Sequence, residues 1–176
     1  MGSQSDWQVV KKAVKVLKDF NVEVEARVIS AHRTPRIAEE FAKNAEVNGF
    51  DVIIAAAGKA AHLAGVMAGN THLPIIGVPM KTGDLGGMDS LLSTVQMPSG
   101  VPVATVAVGG AENAALLSIQ MLGIKYPELK EIADKLRVSV IKEVYAAGSG
   151  HPGGSLSAAD IITALYFREM NIDPEN

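Results

Sequence analysis

The sequence predicts a doubly wound α/β domain, and three observations carry that prediction. Short, continuously apolar runs, DVIIAAAG, PIIGVPM and VPVATVAV, have the texture of parallel strands covered on both faces. Segments of helical periodicity separate them. Polar and Gly-rich stretches, SAHRTP, GKAAH, PMKTGDLGG and GGAEN, fall mainly after the strands, where the carboxyl ends of a parallel sheet form a ligand crevice.

The elements follow in order. The opening MGSQSDW is a small-residue loop of the kind that a strand normally feeds, and only Met1 precedes it. Trp7, Val10, Val14 and Leu17 then recur at helical spacing, with Lys11, Lys12, Lys15 and Lys18 on the other faces, and either Ser5 or Asp6 can cap this amphipathic helix. Asn21 marks the turn out of it. In NVEVEARV, Val22, Val24, Ala26 and Val28 alternate with charged residues, which predicts a strand at a sheet edge with one face buried. Pro35 stands at the first position of the next helix, which repeats Ile37, Phe41 and Ala45 every fourth residue and stops at Asn48-Gly49. The three apolar strands alternate with helical AAHLAGVMAG and SLLSTVQM, and AENAALLSIQML follows the last.

Beyond residue 125 the texture changes. Leu129, Ile132, Leu136, Val140 and Val144 form a helical stripe, SGHPGG breaks it, and Ser157 with Asp160 offers a capping box for another helix.

Bulk properties narrow the function. With 16 basic against 19 acidic residues, the net charge of −3 gives no general attraction to nucleic acid or an anionic membrane, so any anion must be bound locally. The absence of cysteine excludes disulfides, thiolate metal sites and a cysteine nucleophile. The most apolar stretch is interrupted by Gly58, Lys59 and His62, a poor membrane span, and no secretory signal is visible at the N-terminus; the expectation is a cytoplasmic protein.

Two loops could carry chemistry. Backbone N–H groups at the first helix start, with the Ser3 and Ser5 hydroxyls, suit a phosphate, and Asp6 suits a ribose hydroxyl. On spacing alone, Ser5 and Asp6 read first as helix caps. In SAHRTP, His32 can exchange a proton near neutral pH and Arg33 can clamp a phosphate or carboxylate, or the two are a helix-start histidine and a solvated arginine. His62 follows a buried strand and is either a packed histidine or a lining of the crevice. The four histidines show no local metal-ligand spacing, so no metal is expected.

The segments MGSQSDW, SAHRTP, AAGKAAHLAGV, PIIGVPM, MDSLLSTVQMPSGVPVATVAV and GAENAALL, in this order and spacing, resemble the class I N5-carboxyaminoimidazole ribonucleotide mutase family over roughly residues 1–125. The resemblance implies a flavodoxin-like, three-layer αβα fold with a parallel sheet in the order 2-1-3-4-5, whose first strand would precede the MGS loop and is missing from this chain. It implies an isomerase of de novo purine biosynthesis that moves a carboxylate from an exocyclic nitrogen of an aminoimidazole ribonucleotide to a ring carbon, needs no cofactor or metal, and assembles as a homo-octamer. By motif, His32 would be the general acid/base. Ser3, Ser5, Ser30 and Arg33 would hold the phosphate and Asp6 the ribose. The loop of Gly58, Ala60, Ala61, His62 and Leu63, with KTGDLGG, would enclose the base and the carbon dioxide released in transit. His62 favours class I over the class II carboxylases, which carry small residues there, and Lys59 and Ala64 depart from the expected Gly and Pro.

From about Leu129 to Asn176 the sequence resembles the beginning of a transketolase, whose Gly-His-Pro-Gly histidine, here His151, helps at thiamine diphosphate. Most of such an enzyme is absent, so His151 is expected to be a relic. The chain therefore divides at residues 1–125 and 126–176, a fusion with a helical C-terminal extension. The readings set against a mutase are an inactive truncated chimera and a nucleotide-binding module without turnover.

Overall fold

The computed structural model describes residues 1–129, and the expectations for Ile132, Leu136, Val140, Val144, His151, Ser157 and Asp160 lie outside the described residues. A 3-10 turn (Gln4–Asp6) leads into α1 (Trp7–Asp19), followed by α2 (Pro35–Asn44), β1 (Ile53–Gly58), α3 (Leu63–Ala68), β2 (Ile75–Met80), α4 (Met88–Val95), β3 (Ala104–Thr105) and α5 (Ala111–Lys125). Among the described residues the strands form one parallel sheet in the order β1-β2-β3.

The strand period sorts side chains to two faces. Ile53 and Ala55 of β1 join Ala38 and Ala42 of α2 and Leu63 and Met67 of α3 in one apolar cluster. Ile54 and Ala56 turn the other way, toward α1 and α5, whose Ala13, Leu17, Ala115 and Ile119 pack together. Helices thus cover both faces; of the apolar runs that predicted buried strands, β2 is buried along its whole length, β1 in half of its residues, and VPVATVAV is only partly covered. α4 crosses β2 so closely that a Cβ on Gly77 would lie 2.4 Å from Thr94 Cγ2, which is why a glycine interrupts this strand.

Two expected strands come out differently. VPVATVAV pairs only through Ala104 and Thr105, although Val106 N and Gly109 N still donate to the carbonyls of Gly77 and Pro79 (3.1 and 2.8 Å). Those carbonyls place the Gly77 and Pro79 backbone on the β3 side of β2, and Pro79 has no N–H to return, so the ladder stops.

NVEVEARV forms no strand. At its start Asn21 N and Val22 N donate to Lys18 O and Leu17 O of α1 (both 2.9 Å); at its end the Met1 ammonium donates to Arg27 O (2.9 Å), Ile29 N donates to Met1 O (2.9 Å), and Gly2 N donates to Ala56 O (2.8 Å). Met1 and Gly2 therefore sit as a strand would, bridging residues 27–29 to the outer edge of β1. Behind them a cavity of about 860 Å³ separates residues 22–27 from residues 52–55, lined from both helical layers by Leu17, Val24, Phe41, Ile54, Leu63 and Leu122. Among the described residues no strand pairs with residues 22–27, and an edge strand needs a partner along its whole length.

Burial also pushes the Met1 ammonium below its ordinary pKa. An apolar extension of about five residues joined to Met1 is expected to enter this cavity, remove the buried charge and raise stability by about 2 kcal/mol or more. Thermal unfolding checks this, with an extension of equal length carrying alternating Asp as the version that gives no gain.

Candidate active site

The residues singled out by sequence come from three loops, and each is held by its own local chemistry. In the first, Ser3 Oγ accepts from Ser5 N (3.3 Å) and Asp6 accepts from Ser3 N (3.0 Å), a reciprocal pair that shapes the turn before α1. Ser5 Oγ donates to Ser3 Oγ (2.9 Å), so the two hydroxyls are side by side at the surface. Asp6 itself is buried, and desolvation raises its pKa above the usual aspartate value. The cap reading of Asp6 describes its present contact.

In the second loop, Thr34 Oγ1 donates to Ser30 O (2.9 Å) and accepts from Ser30 N (3.0 Å), while Arg33 N donates to Ser30 Oγ (3.2 Å). This tight turn ends where Pro35 begins α2. It presents His32 and Arg33 to solvent, and Arg33 Nη2 reaches across to donate to Gly2 O (3.0 Å), which ties the second loop to the first.

The third loop joins β1 to α3. Gly58 ends the strand against Thr82, whose Cγ2 would be 2.7 Å from a Cβ there. Lys59 adopts φ +56, a left-handed conformation that favours glycine, the residue expected at this position. Its side chain pairs with Asp84 (2.8 Å), linking this loop to residues 81–87, and that cation holds the Asp84 carboxyl below its usual range. Ala61 and Leu63 are buried, whereas His62 between them is exposed.

His62 Nδ1 lies 3.0 Å from His32 Nε2, with the rings edge to face and their centroids 5.0 Å apart. One ring must donate and the other accept, so the two imidazoles share a single proton position between them. His62 is therefore no packed core histidine; it stands with His32, Ser30 and Arg33 at the junction of the three loops. His72 is exposed, in the turn before β2.

Sequence reasoning missed the support beneath the third loop. Ser90, Ser93 and Thr94 lie on one face of α4; Ser93 Oγ accepts from Ala61 N (3.0 Å), and the Thr94 hydroxyl lies between Ser90 O (2.7 Å) and Ala61 O (3.5 Å). The signal available was three hydroxyls at i, i+3 and i+4 in a helix whose other residues, Asp89 apart, are apolar, a spacing that puts them on one side.

The chain belongs to the AIR carboxylase family, which it matches over residues 1–143. The N5-carboxyaminoimidazole ribonucleotide mutase of Saccharolobus solfataricus is 60% identical over 137 residues, spanning 78% of this chain and 85% of that one. The protein of the same name from Aquifex aeolicus is 58% identical over 134 residues, spanning 76% and 80%. A crystal structure of Treponema denticola PurE superposes with a TM-score of 0.74 at 28% identity, covering 83% of this chain and 91% of that one. Residues 129–176 match a second family, the thiamine diphosphate binding domain of transketolase.

The raised pKa of Asp6 has a signed consequence. In the window between the ordinary aspartate pKa and the higher folded value, the native state binds more protons than the unfolded one, so stability falls as pH rises. Asp6→Asn is expected to abolish that slope, measured as urea unfolding from pH 3 to 7 in steps of about half a unit.

Proposed function

We propose that this chain is an N5-carboxyaminoimidazole ribonucleotide mutase, an isomerase of de novo purine biosynthesis, with residues 1–125 as its catalytic domain. The observation that carries the site assignment is the His32–His62 contact of 3.0 Å beside the Ser3, Ser5 and Arg33 surface. Ser3, Ser5, Ser30 and Arg33 bind the phosphate through hydroxyls and one guanidinium, which a chain of net charge −3 needs because no general field attracts the anion. Asp6 takes the ribose. Gly58, Ala60, Ala61, His62 and Leu63 cover the base.

The reaction then needs one mobile proton. As the N-carboxylate leaves as carbon dioxide, its nitrogen takes a proton from the His32 imidazolium. The ring carbon adds to the retained carbon dioxide, and His32 removes the proton from that carbon to restore the aromatic ring. Proton and carboxylate are both conserved, so substrate and product are isomers and no cofactor or metal enters. His32 gives one proton to the nitrogen and takes a different one from the ring carbon, so it ends in the protonation state in which it began. His62 holds the ring on which that exchange occurs.

Both histidines are exposed in the single chain, and retention of a gas requires closure. The reading therefore includes a homo-oligomer, an octamer by family likeness, acting in the cytoplasm. An apolar stripe supports association: Met88, Leu92 and Val95 recur along α4 with half of each exposed, and Leu85 adjoins them. Residues 126–176 are assigned to a transketolase-like extension with no part in this chemistry, a reading supported by the second family match.

Purified protein is expected to interconvert the two carboxylated ribonucleotides without added metal. His32→Asn should lower kcat by about 10²-fold or more while substrate still binds. Steady-state kinetics with a binding isotherm on the same variant decides it; full-rate turnover by His32→Asn removes the assignment, and binding without turnover by the unaltered chain marks it as a nucleotide-binding module.

A further inference from the structure

Ser93 is the most connected hydroxyl under the third loop. Its Oγ lies 2.6 Å from Asp89 O, 3.4 Å from Ser90 O and 3.1 Å from Lys59 O, and it accepts from Ala61 N at 3.0 Å. A hydroxyl has one proton. The shortest contact directs it to Asp89 O, back along α4, which leaves a lone pair turned to the Ala61 amide. Ala61 is 2% exposed, so no water replaces Ser93 as acceptor for that N–H. The next residue is His62, whose own N–H donates to Ala60 O (2.8 Å) in a tight turn. From Ala61 the chain leads directly to the imidazole that meets His32.

We propose that Ser93 is a positioning residue for the reaction: by accepting the Ala61 amide proton it fixes the backbone from which His62 projects, and thereby the His32–His62 contact. This rests on the mutase reading for its kinetic consequence, although the geometric claim stands apart from it. The anchor is rigid because α4 is itself pinned to β2, with Ser90 Oγ placed between Met80 O (2.8 Å) and Gly87 O (2.9 Å) and Thr94 against Gly77. Lys59, in its left-handed conformation, adds a second constraint on the same loop through Asp84. The anchor to α4 is the one buried from solvent at Ala61, so it is not weakened by exchange with water.

The test uses the full chain and three variants. Ser93→Ala removes the acceptor, Ser93→Thr restores a hydroxyl, and Ser118→Ala removes a different buried hydroxyl, one that bonds Ala114 O within α5 (2.9 Å), as a control for loss of stability alone. The readouts are the imidazole ¹⁵N signals of His32 and His62, which report tautomer and hydrogen bonding, and kcat and KM separately. Ser93→Ala is expected to move both rings' signals and to lower kcat by about ten- to a hundred-fold with KM little changed, the cost of misplacing a reacting group by a fraction of an ångström. Ser93→Thr should restore both. Ser118→Ala should lower the melting temperature without either effect.

If the ring signals and kcat of Ser93→Ala match those of the unaltered protein, the positioning role is overturned, whatever happens to its melting temperature. If the unaltered protein shows no interconversion, the mutase reading fails instead, and the ring signals still decide whether Ser93 sets the histidine contact.

Discussion

The parallel pairing of β1 with β2, running in register from Ile53 opposite Ile75 to Gly58 opposite Met80, is the constraint on which the other features depend. Because the strands end level, the loops that leave them begin side by side at the same end of the sheet, which is the condition for a shared crevice. Gly77 in β2 lets α4 approach the sheet, and that approach carries Ser90, Ser93 and Thr94 under the loop after β1. One backbone ladder therefore sets the height of the loops, and one missing side chain sets the depth of the helix that supports them.

A second anchor comes from the chain start. Met1 and Gly2 bond to Arg27, Ile29 and Ala56, joining segments that are far apart in sequence. These bonds hold the first loop against the sheet edge and bring the Gly2 carbonyl to the Arg33 guanidinium. Behind them lies the large cavity, so the anchor for Ser3 and Ser5 is also the place where packing is thinnest. Atoms lining a void lack partners on one side and forfeit dispersion contacts, so residues 22–27 and 52–55 gain less from packing where they face each other across it.

The site differs from that cavity in kind. The cavity mixes apolar side chains such as Leu17, Phe41 and Ile54 with Glu23, Glu25 and Asp51 at its wall; the histidine pair is exposed and borders hydroxyls, backbone amides and one guanidinium. In the proposed function, phosphate binding there would rest on directed hydrogen bonds and proton exchange on two imidazoles whose contact joins residues 30 apart in sequence. Surface ion pairs such as Lys59–Asp84 add little energy individually, but this one spans two loops whose backbones are already constrained, so its effect is geometric.

Hydrophobic period and turn residues were sufficient to locate the buried strands, α1 and α2 with its Pro35 start, because those signals are local and follow from burial of one face. The family motifs marked His32, Arg33, Ser30 and the Gly58 loop through residue identity alone. Residues 22–28 carry an alternating pattern that reads as a strand, yet they form none, because a strand exists only when a neighbour supplies hydrogen bonds along its length. VPVATVAV was shortened by Pro79, a residue in a different strand. The sequence by itself determined which segments are apolar, where helices start and which side chains could do chemistry. Only the tertiary structure decided that His62 meets His32, that Asp6 turns inward and that Ser93 supports Ala61, since each depends on contacts between segments that the chain brings together by folding.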